Sequence, residues 1–297
     1  MNLNKHSRRF LKGRAAQSVI VALTIFAVLA VYLFWPEEET AFFTGDGVWV
    51  HFIDVGQGDC ALIQSPGGNI LIDAGTPDSE HTIVRYMDEL GIERFSCAIF
   101  THPHADHIGC AAALLERYSF DAVILPDAVS TSRTFERMME ALENEGCDVI
   151  AGHAGLSYTL GDLELDLLAP VLDYGDDLNN QSTVCKFTYG EISFLFTGDA
   201  ETESERDMLR EAPESLCASV LKVGHHGSNT SSSDAFIEAA APQVAVISVG
   251  EDNEYGHPSA LVISRLKAAG ASVYRTDQAG NVVVYTNGKE IQIQTQN

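Results

Sequence analysis

The sequence predicts an α/β fold of two mixed β-sheets with helices on the outside. Three observations predict it. Short β-like runs come first and are separated by Gly-rich turns, as in hairpins. Further along, strands alternate with helices without a low-complexity break, the pattern of parallel-sheet units. Several of these strands end in His or Asp, at the edge where open α/β sheets place their ligands.

Residues 48–53, 61–64 and 69–73 are the opening β-like runs, broken by VGQGD and SPGGN. Residues 79–90 read as an amphipathic helix closed by Gly91. The apolar run 97–100 reads as a buried parallel strand, and the Ala- and Leu-rich stretch 108–117 as a helix. A strand over 123–125 and a helix over 131–145, stopped by Gly146, come next. Strands are expected over 163–168, 184–189 and 192–196, the last two joined by a Tyr-Gly-Glu hairpin turn. Buried strands at 220–223 and 244–249 alternate with helices at 234–240 and 259–269, which Ser233 and Ser259 can cap. Strands at 272–275 and 281–285 finish the fold.

The N-terminus is of a different kind. The first 17 residues carry Lys5, Arg8, Arg9, Lys12 and Arg14 and no acid, and residues 15–36 carry no charge. At about 1.5 Å per residue that uncharged stretch spans about 33 Å, enough for a bilayer core. Tyr32 and Trp35 sit at one end as interfacial aromatics would, and Glu37–Glu39 lie beyond. The expectation is a basic arm and transmembrane signal anchor at 1–36, a linker at 37–47 and the main domain at 48–297. The basic flank puts that domain outside the cell membrane in a single-pass arrangement. A cleaved signal peptide, which would release a secreted protein, is the competing reading, because Ala27 and Ala30 can form a weak cleavage site. A buried core helix is disfavoured, since no amphipathic stripe is present.

The whole chain has 18 Lys and Arg against 42 Asp and Glu. Removing the arm's five basic residues from 18 leaves 13 against 42, a net of −29 beyond residue 17. Such a surface repels polyanions at long range and argues against tight nucleic-acid binding. The same acidity also keeps an exported domain soluble. The six cysteines form no CxxC pair, which argues against a structural zinc knuckle.

The chemistry concentrates in Thr101-His102-Pro103-His104-Ala105-Asp106-His107-Ile108-Gly109. Three histidines and a carboxylate fall within six positions, and imidazole with carboxylate is the donor set of zinc and related divalent ions. The strand before and the helix after place the motif at a strand's C-terminal end. His102 and His104 can converge on one ion from an extended loop, while Asp106 and His107 in the first helical turn face a second. Phe196-Thr197-Gly198-Asp199 ends another strand in a carboxylate able to bridge two cations. Leu221-Lys222-Val223-Gly224-His225-His226 ends a third in two histidines. Adjacent strand residues point to opposite sides, so one of this pair is expected to bind metal. His257 follows a fourth strand.

With these pieces in place the chain resembles the metallo-β-lactamase superfamily, and more narrowly the metallo-hydrolase domain of ComEC-type competence proteins and their stand-alone relatives. The matching segments are HFIDVGQGDCALI (51–63), NILIDAG (69–75), THPHADHIG (101–109), LNNQSTVCKFTYGEISFLFTGDAE (178–201), LKVGHHGS (221–228), SVGEDNEYGHPS (248–259) and YRTDQAGNVVV (274–284). The resemblance covers residues 48–290. It implies an αββα sandwich with a dinuclear site at one edge of the sheets.

By the same resemblance, His102 and His104 hold the first metal, Asp106 and His107 the second, and Asp199 bridges them. His225 completes the second site, with His226 as the alternative. Asp73 and Asp54 support the site. Asp106, His226 and His257 are the candidate catalytic residues. Asn180, Ser182, His226 and His257 are the candidate substrate-binding residues. The cofactor is two divalent ions, zinc with manganese as the alternative. Many members carry a further His between the HxHxDH motif and the bridging Asp. Here that interval holds only His153, and the family position reads Asn179-Asn180-Gln181-Ser182. This argues against a true β-lactamase and leaves the first metal short of protein ligands.

The implied activity is phosphodiester hydrolysis, with DNA as the implied substrate. A single membrane segment cannot form a DNA channel, so the chain is not a translocator by itself. The rivals are an esterase for another exported phosphoester, such as a wall-polymer phosphorylcholine, and a non-catalytic scaffold. The membrane is the expected partner through the N-terminal helix, and no stable protein partner is inferred.

Overall fold

The computed structural model describes residues 47–297. The basic arm, the apolar segment 15–36 and the expected linker up to residue 46 lie outside the described residues. Among the described residues no helix is long and apolar enough to cross a membrane.

Seventeen strands are described: β1 (Val48–Phe52), β2 (Ala61–Ser65), β3 (Gly68–Ile72), β4 (Arg94–Phe95), β5 (Cys97–Ile99), β6 (Ser119–Phe120), β7 (Ala122–Leu125), β8 (Asp148–Ala151), β9 (Ser157–Leu160), β10 (Leu163–Ala169), β11 (Val184–Tyr189), β12 (Ile192–Phe196), β13 (Val220–Lys222), β14 (Val244–Ile247), β15 (Ser272–Arg275), β16 (Val282–Thr286) and β17 (Ile291–Thr295). One sheet runs β17-β16-β1-β2-β3-β5-β7-β8 and a second β15-β14-β13-β12-β11-β10-β9, with β4 and β6 as a small ribbon. Both large sheets are mixed. β3, β5, β7 and β8 are parallel neighbours in the first, and β12 to β15 in the second.

Period-2 alternation explains the layering. Ile70 and Ile72 of β3 and Ile99 of β5 point into a core shared with Phe194, Phe196 and Val220 of the other sheet. Leu71 and Ala98, between them in sequence, point outward onto Ile83, Met87, Leu114 and Met138 of the helices covering that face. Leu195 and Leu221 meet Met208, Phe236, Val262 and Leu266 on the opposite outer face. Strands buried on both faces read as continuous apolar runs for this reason. The result is the expected αββα sandwich.

Several elements differ from expectation. The stretch read as one helix over 108–117 is two, Ala105–Ile108 and Ala111–Arg117. The break falls at Gly109, where an added Cβ would lie 2.3 Å from Pro77 N. The fold does not finish at residue 285, because β17 pairs along β16. The helix Thr202–Glu211 has almost no apolar pattern to announce it, and Met208 is its one buried large apolar side chain. The expected caps form: Ser233 accepts from Phe236 N and Ser259 from Leu261 N.

Candidate metal centre

β3, β5, β12, β13 and β14 end at the site, delivering Asp73, the 101–107 loop, Asp199, His225 with His226, and Ser248 respectively. Gly198, at φ +51, makes the turn that follows β12; a Cβ there would lie 2.8 Å from that of Thr101. Ser182 Oγ accepts from the Asp199 backbone N–H at 3.1 Å.

Two groups of donor side chains meet, the ligand atoms of each within 4.8 Å of one another. His102, His104 and Asp199 form the first; Asp106, His107, Asp199 and His226 form the second. Asp199, at 2% exposure, belongs to both. A third group, Asp59, Asp73 and His107, is already supplied with a cation, because the Lys222 ammonium lies 2.7 Å from Asp59 Oδ2.

The surrounding hydrogen bonds aim the imidazoles. Asp73 accepts from Thr101 N at 2.7 Å and Thr101 Oγ1 at 2.8 Å, and its Oδ2 lies 2.8 Å from His107 Nδ1. His226 Nδ1 donates to the Ser248 carbonyl at 2.9 Å. Both rings therefore turn Nε2 inward. His107 Nε2 stands 3.2 Å from Asp199 Oδ1, and His226 Nε2 3.3 Å from Asp106 Oδ2.

His107 Nε2 and Asp199 Oδ1 are buried without a hydrogen-bond partner. An imidazole lone pair facing a carboxylate in a buried pocket needs a cation or a proton between them. The electrostatics show that demand. Burial pulls His107 down, but Asp199 and Asp73 overcome it and hold the ring well above its usual pKa. Burial likewise opposes protonation of His226, and Asp199 and Asp59 raise it to about 10. Burial disfavours ionised Asp199, yet His107 and His226 hold it well below the carboxylate range. The Asp199 carboxylate thus favours positive charge at these positions, and the donor set fits divalent ions.

The structure places three site residues otherwise than the sequence reading expects. His226, not His225, joins the second cluster. The period-2 argument assumed extended backbone, whereas His225 and His226 are both left-handed at φ 50 and φ 52. Such backbone costs about 1–3 kcal/mol at a non-glycine residue, and here it turns both rings toward Asp199. Asn180 is not free for substrate: its Oδ1 accepts from Glu201 N and Ser204 N, and its Nδ2 donates to Asp177. Ser182 is fully buried on the Asp199 backbone. Asp54, expected to support the site rather than to bind metal, accepts from Gly56 N; Asp59 stands closer to the donor groups, 3.3 Å from His226 Nδ1.

His257 stands outside the donor groups, half-buried, its ring 5.8 Å from that of His225 and stacked on exposed Tyr255. Asn253 fixes its backbone through the His257 N–H and carbonyl. Burial, His225 and His226 lower its pKa, which favours the neutral ring. His153 is exposed and belongs to none of the clusters. Sequence reasoning missed Asp59, Lys222 and Glu201. The one available signal was Lys222, a lone charge inside the apolar run of β13.

Residues 53–251 match the model of a family described as the metallo-beta-lactamase superfamily. The chain is similar to ComE operon protein 3 of Bacillus subtilis (strain 168), 32% identical over 251 residues, covering 78% of this chain and 32% of that protein. It is similar to Competence protein ComA of Neisseria gonorrhoeae, 31% identical over 247 residues, covering 82% and 32%. The chain thus spans about a third of the length of these relatives. Among solved structures it is similar in fold to the metallo-beta-lactamase fold protein YhfI from Bacillus subtilis, with a TM-score of 0.57, 14% identity, and 81% and 100% of the two chains covered. The diiron β-hydroxylase CmlA from Streptomyces venezuelae also shares the fold, at TM-score 0.57 and 15% identity, over 82% and 55%.

Proposed function

The chain belongs to the metallo-β-lactamase superfamily, and we propose that within it this protein is a metal-dependent phosphodiesterase related to the competence proteins. The observation that carries the reading is the shared, buried Asp199 between two donor clusters. These residues would hold divalent ions, which would supply Lewis acidity to activate water near neutral pH and to offset the negative charge of the transition state. Asp73 and the Ser248 carbonyl orient His107 and His226 and keep their Nε2 atoms inward. His226 is used in the second cluster, so half-buried His257 beside His225 remains to hold a phosphate oxygen or to pass a proton to the leaving group.

The resemblance to ComEC-type competence proteins implies DNA as substrate. The net charge of −24 favours a second reading, hydrolysis of a smaller exported phosphoester such as a phosphorylcholine ester of a wall polymer. A panel of a chromogenic phosphodiester, single- and double-stranded DNA and a phosphorylcholine ester separates them. DNA cleavage supports the first reading, and cleavage of the choline ester without DNA supports the second. No turnover on any member counts against both and favours a scaffold.

We also propose that residues 15–36 anchor the protein with the catalytic domain outside the cytoplasm, from the five basic residues on their N-terminal side. Protease added to intact cells is expected to digest the domain, and full protection would reverse this topology.

A further inference from the structure

The two metal clusters are unequal. The second offers four side chains, the first only His102, His104 and Asp199, one fewer than a tetrahedral protein set. The contacts of Asp199 show what stands at the open corner. Its Oδ1 lies 3.2 Å from His107 Nε2 and 3.8 Å from His226 Nε2. Its Oδ2 lies 3.7 Å from His102 Nε2 and 3.7 Å from His225 Nε2. Each carboxylate oxygen therefore faces two imidazoles, one from the loop after β5 and one from the turn after β13. On the Oδ1 side both imidazoles belong to the second cluster. On the Oδ2 side the partner of His102 is His225.

His225 is built for that place. Its Nδ1 lies 3.1 Å from Glu201 Oε1 and 3.2 Å from Thr230 Oγ1, so that nitrogen carries the hydrogen and Nε2 presents its lone pair toward Asp199. Glu201 is itself held, accepting from Asn179 Nδ2 at 3.2 Å and Thr230 Oγ1 at 3.0 Å. A carboxylate on the far nitrogen is the usual device that fixes the tautomer and direction of a ligating histidine. His153 is exposed and its Nδ1 is directed at the neighbouring Ala154 carbonyl, 2.9 Å away, so it does not supply the ligand.

We propose that His225 is the fourth protein ligand of the first metal and that Glu201 is the positioning residue that holds it there. The two adjacent histidines then serve different ions across one bridging carboxylate. This rests on the two-cluster metal reading but not on the choice of substrate.

The test is calorimetric titration of the full chain, stripped with chelator, with Zn2+ and Mn2+ and no substrate, with bound metal counted by elemental analysis. Wild type is expected to take up two equivalents. His225→Ala is expected to keep one equivalent at wild-type affinity and to lose the other or bind it at least about tenfold more weakly. Glu201→Gln, which keeps the shape and removes the charge, is expected to weaken the same equivalent by about 10–100-fold. Co2+ loading gives an independent signature: the absorption of one of the two ions should disappear in His225→Ala. Circular dichroism of the metal-free variants checks that the fold is intact, and His153→Ala should bind as wild type. Two equivalents at unchanged affinity in His225→Ala would overturn the assignment, as would simultaneous loss of both ions or a single equivalent in wild type. Absence of phosphodiester cleavage would count against the proposed function and leave these binding results standing.

Discussion

Replacing Asp199 by alanine is expected to lower phosphodiester turnover by at least about a hundredfold, equivalent to about 2.7 kcal/mol of lost barrier reduction. Asp199 is the one carboxylate common to both donor groups. Its removal leaves two cation sites facing each other without a shared anion. It also strips His107 and His226 of the charge that holds their pKa values up. Asp199→Asn separates charge from shape, since the amide fills the same space and the backbone contact to Ser182 is retained. Both variants should lose bound metal together with activity. An Asp199→Ala protein as active as wild type would refute the role given to this residue.

The largest effect on stability is expected at Lys222. Its side chain is buried, with Nζ 2.7 Å from Asp59 Oδ2 and donating to the Val223 carbonyl at 2.9 Å. Lys222→Met keeps the apolar stem and deletes the cation. Asp59 is then left as a buried carboxylate without its closest cation, at a cost of about 3–5 kcal/mol. The pH dependence has a defined sign. Burial works against ionised Asp59, but Lys222 and His226 hold its pKa down to about 2. The unfolded value is about 3.9. The pair therefore stabilises the fold fully above that value and is lost as pH falls toward 2. Chemical denaturation of metal-free wild type and Lys222→Met, at pH 7 and at descending pH, measures this. A difference below about 1 kcal/mol at pH 7 would contradict it. Pairing Lys222→Met with Asp59→Leu should recover part of the loss, because a buried pair replaced on both sides leaves no orphan charge.

The parts of the site that were legible in the sequence are the contiguous ones. His102, His104, Asp106 and His107 fall in six positions after an apolar strand, so their convergence could be read directly. Asp199 was legible as a carboxylate closing a strand, and Asp73 through the resemblance. The histidine pair was readable as a site but not as an assignment, because alternation holds only in extended backbone and both residues are left-handed. Asn180 and Ser182 occupy a suggestive segment, yet their polar atoms are spent on the backbone of Glu201, Ser204 and Asp199. Asp59 and Lys222 lie far apart in sequence and act on each other across the core, which no local pattern records. Two mixed sheets with outer helices were legible from hairpin runs followed by strands alternating with helices, but the face each side chain takes was not, because Leu71 and Leu195 face outward and their neighbours the shared core, all of them apolar. The helix Thr202–Glu211 was not, because its polar sequence hides the single face it buries.

The most direct measurement is hydrolysis of a chromogenic phosphodiester by the purified full chain, with bound metal counted on the same sample before chelation, after it, and after divalent ions are restored. The account predicts about two ions per chain, activity lost with them, and activity regained when they return. Turnover that survives complete metal removal would contradict it, as would a chain that takes up no zinc, manganese or iron.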